Sequence, residues 1–206
     1  MKEMEHPWEI EDRIRADGYF SICGVDEAGA GPLVGPVYAA AVILPPGLIL
    51  PGLNDSKKLS EKRREALFDD ICRQAESYAV ASVSAKEIDE INILNARMLA
   101  MERAIQSLPQ KADFALIDGN YNRGISLANE TVVHGDARSA SIAAASILAK
   151  VSRDRYMTEV LAAEYPQYGF ERHKGYGTKF HYEMLEQYGP SPLHRMSFLK
   201  KWKKVP

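Results

Sequence analysis

The hydrophobic and polar positions along the chain give five strand-like runs separated by helical ones. Ser21–Val25 (SICGV) and Val37–Leu44 (VYAAAVIL) are continuous apolar runs of strand length, and Tyr78–Ser84 (YAVASVS) alternates with period two. Phe114–Ile117 (FALI) and Thr131–His134 (TVVH) are shorter runs that stop at Asp118-Gly119 and Gly135-Asp136. Ser60 is placed to cap a helix whose apolar face holds Ala66, Leu67, Ile71 and Ala75. A second helical region opens at Ala85 and continues from Leu94 to Leu108, closed by Pro109. From Ala137 to about Ala163 the pattern is helical again and small on one face, with Ser139, Ala140, Ala143, Ala144, Ala145 and Ser146, which lets a helix axis come close to a sheet. The order predicts an α/β fold built on a mixed five-stranded sheet. The first three strands form an antiparallel meander, and the two later ones join in parallel after helical crossovers.

Acids stand at the ends of three of these strands: Asp26-Glu27, Asp118 and Asp136. Strand ends along one edge of an open sheet are where ligand sites gather. If the strands are neighbours, the carboxylates converge, and such a cluster persists only around something cationic. Hard oxygen donors with no Cys or His grouping at zinc spacing point to Mg²⁺ or Mn²⁺, two of which form a clamp for in-line phosphoryl displacement. Each acid also has a plainer role. Asp118 before Gly119 suits a turn, Asp136 suits a helix N-cap, and Asp26 and Glu27 suit a solvated strand end. Adjacent strand residues point to opposite faces, so Asp26 and Glu27 share a site only if the backbone departs from strand geometry at Glu27, which Gly29 permits.

Composition changes this picture little until it is read locally. The 206 residues fit one domain with an appended lobe, long enough to bury roughly 70% of the unfolded surface. Residues 171–206 carry eight Lys or Arg against three acids, with His173, His181 and His194 in the same stretch. A basic, aromatic-bearing segment of this kind suits a polyanion, and solvated lysines at a terminus are the commoner case. Cys23 and Cys72 read as idle thiols of a reducing compartment. The opening MKEMEHPW is acidic with no apolar core, so no signal peptide is expected; no run is long enough to span a bilayer, and the expected location is the cytoplasm. GAGPLVG is not a G-x-G-x-x-G fingerprint, and neither a G-K-[ST] loop nor a G-x-S-x-G elbow is present.

The segments GVDEAGAGPLVGPV, LIDGN, HGDARSASIAAASILAKVSRD, HKGYGTKFH and GPSPLHRMSF, in that order from Cys23 to Phe198, closely resemble bacterial ribonuclease HII. The resemblance implies an RNase H-like sheet flanked by helices, with a helical C-terminal extension. It divides the chain into an N-terminal helical extension (1–20), a catalytic core (21–165) and a basic segment that completes a substrate groove (166–206). It also implies a metal-dependent endonuclease, using Mg²⁺ or Mn²⁺, that cuts RNA in RNA–DNA hybrids and nicks DNA duplexes 5′ to embedded ribonucleotides, leaving 3′-hydroxyl and 5′-phosphate ends. The family's four acids fall on Asp26, Glu27, Asp118 and Asp136. Its tyrosine that reads the ribose 2′-hydroxyl falls on Tyr176, a ring flanked by two glycines. The backbone of Gly29, Ala30 and Gly31 is expected to grip the ribonucleotide, and Lys57, Lys174 and Arg195, with neighbouring Arg172, Lys179 and Lys58, to lie near phosphates. His173 or His181 is a candidate for phosphate contact or product release.

One position departs from the family. Gly-Arg-Gly normally follows the acidic pair, and here the motif is Gly29-Ala30-Gly31, which keeps the main-chain donors and deletes a guanidinium able to pair with phosphate. Two alternatives follow: a nuclease of the same fold without single-ribonucleotide recognition, such as a junction resolvase or hybrid-only enzyme, and a ribonucleotide-binding variant without catalysis. The chain is expected to act as a monomer. The terminal KKWKKVP is open to contact with nucleic acid or a replication clamp, or to the role of a mobile tail, and nothing in it favours the clamp.

Overall fold

The meander forms as the pattern predicts. In the computed structural model, which describes residues 6–54, 56, 59–200 and 202, strands β1 (Ile22–Ala28), β2 (Val37–Ile43) and β3 (Ser77–Val83) pair antiparallel. Strands β4 (Phe114–Asp118) and β5 (Asn129–Val132) then add in parallel, giving the order β3-β2-β1-β4-β5. The centre of the sheet is β1, which lies between an antiparallel and a parallel neighbour.

Alternation along β1 divides the core in two. Cys23 and Val25, with Ala39, Ala41 and Ile43 of β2, pack on Ile88 of helix α3 (Ala85–Ile91) and on Ala96, Met101 and Ala104 of helix α4 (Ile93–Gln106). The other face of β2, Ala40 and Val42, meets Leu67 and Ile71 of helix α2 (Glu61–Gln74) and Ala144 and Leu148 of helix α5 (Ala140–Arg155). The small face of α5 brings its backbone against β1. A Cβ on Gly24 would stand 2.1 Å from the carbonyl carbon of Ser141 and 2.2 Å from the nitrogen of Ile142, so glycine is the residue that fits there.

Two boundaries differ from the sequence expectation. The last strand ends at Val132 rather than His134, because pairing with Ala115–Asp118 begins at Asn129. His134 then takes a left-handed conformation, and Gly135–Ala137 forms a 3-10 turn. Helix α5 begins at Ala140, capped by Ser139, whose hydroxyl accepts from the Ile142 amide. The helical run expected to Ala163 changes to a π-helical turn over Tyr156–Leu161 before one last α turn.

Helix α1 (Glu9–Ala16) is tied to this end of α5 by a carboxylate. Glu11 is buried, and its Oε1 accepts from the hydroxyls of Ser139 and Ser141, each at 2.6 Å, and from the Ser141 amide at 3.1 Å. Negative charge is favourable there because the first amides of a helix have no partner within it. Beyond α5, a second small core gathers Leu33, Val34, Met157, Leu161, Tyr168, Phe170, Leu185 and Leu199. It is built from the loop after β1, the π turn and the C-terminal helix Lys179–Tyr188.

Candidate active site

The sheet register brings the strand-terminal acids to one edge. Val25 of β1 sits beside Ile117 of β4, so Asp26 and Asp118 are the next residues of neighbouring parallel strands. Both point to the α5 side, since Asp26 pairs across to Ala40 and Asp118 continues the row of Phe114 and Leu116. Asp136 arrives on the same side from the 3-10 turn that leads into α5. Asp118 Oδ1 accepts from the Gly135 amide at 2.8 Å, which ties the end of β4 to the residue before Asp136. This bond spans 17 residues, so Asp118 is not a local turn acid, and Ser139 rather than Asp136 is the helix cap.

Glu27 reaches the edge from the opposite face. The departure from strand geometry at Glu27 that would turn both acids to one face does not occur: pairing runs on through Glu27↔Ala39 and Ala28↔Tyr38, and the chain turns only at Gly29, with φ of +95°. The side chain therefore points towards α4, where Arg97 Nη2 holds its Oε1 at 2.7 Å. The backbone still links the two acids, because the Glu27 amide donates to Asp26 Oδ1 at 2.7 Å.

The electrostatics of the edge centre on Asp26. Asp26 is buried, and its carboxyl is held well above the usual carboxylate range, first by loss of water and then by the charges of Glu27, Asp118 and Asp136. Three acids close enough to act on a buried fourth suit a hard divalent cation in donor chemistry, all oxygen with no sulfur or imidazole. As the side chains stand, no three Asp, Glu, His or Cys among the described residues are drawn close enough to share one ion. Asp26, Glu27 and Asp118 each direct an oxygen to a protein donor instead.

From this edge the chain enters the glycine loop, which two other segments clamp. Leu33 donates to the Gly175 carbonyl at 2.9 Å, Gly35 to Leu193 at 2.9 Å, and Arg195 to Leu33 at 2.8 Å. Arg195 was expected near phosphate; its side chain is fully buried, and its guanidinium donates to the carbonyls of Gly29 (2.7 Å), Ala30 (3.0 Å) and Gly35 (2.9 Å). Loss of water and the neighbouring Arg153 lower its pKa to about 9. Arg153 is buried as well and donates to the carbonyls of Pro36, Val34 and Lys174. Two guanidiniums thus stitch the loop after the acids to the turn that carries Tyr176. A Cβ on Gly29 would fall 2.1 Å from Arg153 Nε, so side-chain volume is excluded here as well as φ restricted.

Tyr176 is 46% exposed, and a Cβ on Gly31 would lie 3.6 Å from its ring. The acid loop and the tyrosine are therefore neighbours. Gly31 is four residues from Glu27, a reach of at most about 14 Å of extended chain. Lys174 adopts a left-handed conformation, its Nζ donating to the Glu171 carbonyl at 3.1 Å. Lys179 lies on the surface, its side chain 93% exposed. Lys57 and Lys58 lie outside the described residues, as do Lys201 and Lys203–Pro206 of KKWKKVP.

His173 and His181, considered for phosphate contact, are buried in the C-terminal lobe instead. His181 Nε2 meets His194 Nε2 at 3.0 Å, and His181 Nδ1 meets the Tyr176 carbonyl at 2.9 Å. Burial pushes both His181 and His194 down to about 4, helped by His173 at the former and by His181 and His173 at the latter, and burial lowers His173. They are neutral supports beneath the tyrosine turn. A repeated His in a basic stretch gave no sign of this, and a lone Arg gives none of burial.

Comparison with known proteins decides the relationship. The ribonuclease HII family model matches residues 23–201. The chain belongs to the ribonuclease HII family. It is 52% identical over 200 residues to a ribonuclease HII of Caldicellulosiruptor bescii, with 97% of both chains covered. Among solved structures it resembles the ribonuclease H2 of Pyrococcus horikoshii OT3, with TM-score 0.71 and 28% identity, covering 90% of this chain and 100% of that one. It also resembles the RNase HII of Archaeoglobus fulgidus, solved as a complex with PCNA, with TM-score 0.73 and 27% identity, covering 86% and 94%. The chain is accordingly a ribonuclease H enzyme with the fold expected of it, a mixed five-stranded sheet flanked by helices. No helix among the described residues is long and apolar enough to cross a membrane.

Proposed function

We propose that the acid edge is the hydrolytic centre of an endonuclease that cuts RNA in RNA–DNA hybrids and nicks DNA duplexes on the 5′ side of an embedded ribonucleotide, leaving 3′-hydroxyl and 5′-phosphate ends. The observation that carries it is the buried Asp26 carboxyl beside Glu27, Asp118 and Asp136, an arrangement costly to folding and suited to a divalent cation. Asp26, Glu27, Asp118 and Asp136 would hold Mg²⁺ or Mn²⁺, which supplies a water of lowered pKa and a Lewis acid for the leaving oxygen.

The chain's own residues do the positioning. Arg195 and Arg153 take up carbonyls of the Gly29–Pro36 loop, and its Leu33 and Gly35 amides are bonded to Gly175 and Leu193, so the amides of Gly29, Ala30 and Gly31 are the ones offered to a phosphate. Tyr176 stands exposed against Gly31, where its hydroxyl can meet a ribose 2′-hydroxyl and its ring the sugar. Ala30 brings no cation to this contact, so the grip on phosphate rests on the backbone. Presence of all four acids speaks against a non-catalytic binding variant.

A nicking assay on a duplex with one ribonucleotide, in Mg²⁺, in Mn²⁺ and in chelator, tests the reading. We expect a metal-dependent cut 5′ to the ribonucleotide and a loss of at least about 10-fold in Tyr176→Ala on this substrate, the size of one lost stacking and hydrogen-bonding partner. Cleavage of a long hybrid with no cut at the single ribonucleotide would instead favour the hybrid-only nuclease.

A further inference from the structure

Arg97 was not among the residues singled out by sequence. It lies in the N-terminal half of α4, on the sheet face to which Glu27 points, and its guanidinium stands 2.7 Å from Glu27 Oε1. The pair is largely withdrawn from water, with side chains 29% and 12% exposed, so the interaction is screened less than a surface ion pair. Arg153 and Arg195 direct their donors to carbonyls, whereas Arg97 meets an acid of the cluster, and its Nε is buried with no hydrogen-bond partner. A guanidinium in this place offsets repulsion among the acids. An oxygen engaged in a charge-assisted bond is also less available to a metal.

We propose that Arg97 is the built-in counter-ion of the acid cluster, holding Glu27 on the α4 side and competing with the divalent cation for that carboxylate. The inference rests on the metal-dependent reading above. It makes Arg97 a positioning residue that sets the metal concentration the enzyme needs, by keeping the acids folded together and by requiring the cation to displace a pairing already made.

Calorimetric titration of Mn²⁺ into the full-length protein, without nucleic acid, tests it. Arg97→Met removes both the competitor and a positive charge, and is expected to tighten Mn²⁺ binding roughly 3- to 10-fold. Arg97→Lys keeps the charge with a single-point contact and should fall between the two. Arg103→Met, on the same helix but paired with Glu87, controls for general loss of charge and should change affinity by less than about 2-fold. Unchanged or weaker binding in Arg97→Met, or an equal gain in Arg103→Met, would overturn the inference. Mn²⁺ binding to the wild type that Asp118→Asn leaves untouched would overturn the metal-dependent reading and this inference with it. Binding that depends on Asp118 but gains nothing in Arg97→Met would overturn this inference alone.

Discussion

Arg195 holds the carbonyls of Gly29, Ala30 and Gly35, so the path of the glycine loop does not depend on the side chain at position 30. A guanidinium can therefore be restored there without rebuilding the backbone. Ala30→Arg is expected to lower KM for a ribonucleotide-containing duplex roughly 3- to 10-fold, the worth of one charge-assisted phosphate contact in partly exposed surroundings, with a steeper salt dependence. Steady-state kinetics at two ionic strengths would measure it; no change would mean that the loop does not approach phosphate. At this scale the sequence was informative about groups that end an apolar run, because acids at the ends of three strands in one small sheet carry more than any one of them, each of which has an ordinary role alone. It was silent on Arg97 and Arg153 and did not show that Arg195 is buried, because an arginine's burial depends on acids and carbonyls supplied from distant segments.

The packing of β1 on α5 decides how firmly the acid edge is held. Gly24 lies two residues before Asp26, and the backbone of α5 at Ser141 and Ile142 occupies the space a side chain would need. A methyl group there cannot be relieved by a rotamer change, since the colliding atoms are main chain. Gly24→Ala is expected to destabilise the fold by about 1–3 kcal/mol and to reduce cleavage by displacing α5 and the turn that carries Asp136. The urea midpoint would show it, and a midpoint equal to wild type would contradict the packing described. The small face of α5 predicted close approach to a sheet, and the approach is real. Its partner was not legible, because a single glycine in an apolar run reads equally as a bulge. The ends of β5 were misplaced for a related reason. Asn129 and Glu130 are polar, yet the edge of β4 pairs them, while the apolar Val133 lies beyond the strand.

For the molecule as a whole, the C-terminal lobe makes stability depend on pH. His181 and His194 titrate near 6.5 when unfolded and at about 4 when folded, and His173 is also lowered. The unfolded chain therefore takes up protons between pH 6.5 and 4 that the folded chain refuses, so their contribution is complete above about pH 6.5 and is lost as pH falls through that window. The loss is on the order of 2 kcal/mol per histidine at pH 5. Thermal melts from pH 7.5 to 5 should show a falling midpoint, with a shallower fall in His194→Asn; a flat profile would contradict the burial of these rings. Because His181 also meets the carbonyl of Tyr176, the turn that carries this tyrosine is expected to loosen with the lobe.

Asp26 carries the opposite sign. A carboxyl raised above its unfolded pKa contributes stability that is present at low pH and is lost as pH rises through the folded value, so this buried acid costs the fold stability at neutral pH. The most direct test of the site is the cleavage rate of Asp26→Asn on an RNA–DNA hybrid, measured beside its melting temperature at neutral pH. The account predicts a loss of at least about 100-fold in rate together with a melting temperature at or above wild type, since the amide retains the bond to Glu27 and removes the buried ionisable group. Cleavage within a few-fold of wild type would contradict it, and so would an inactive variant that melts well below wild type, because its lost activity would then reflect lost folding.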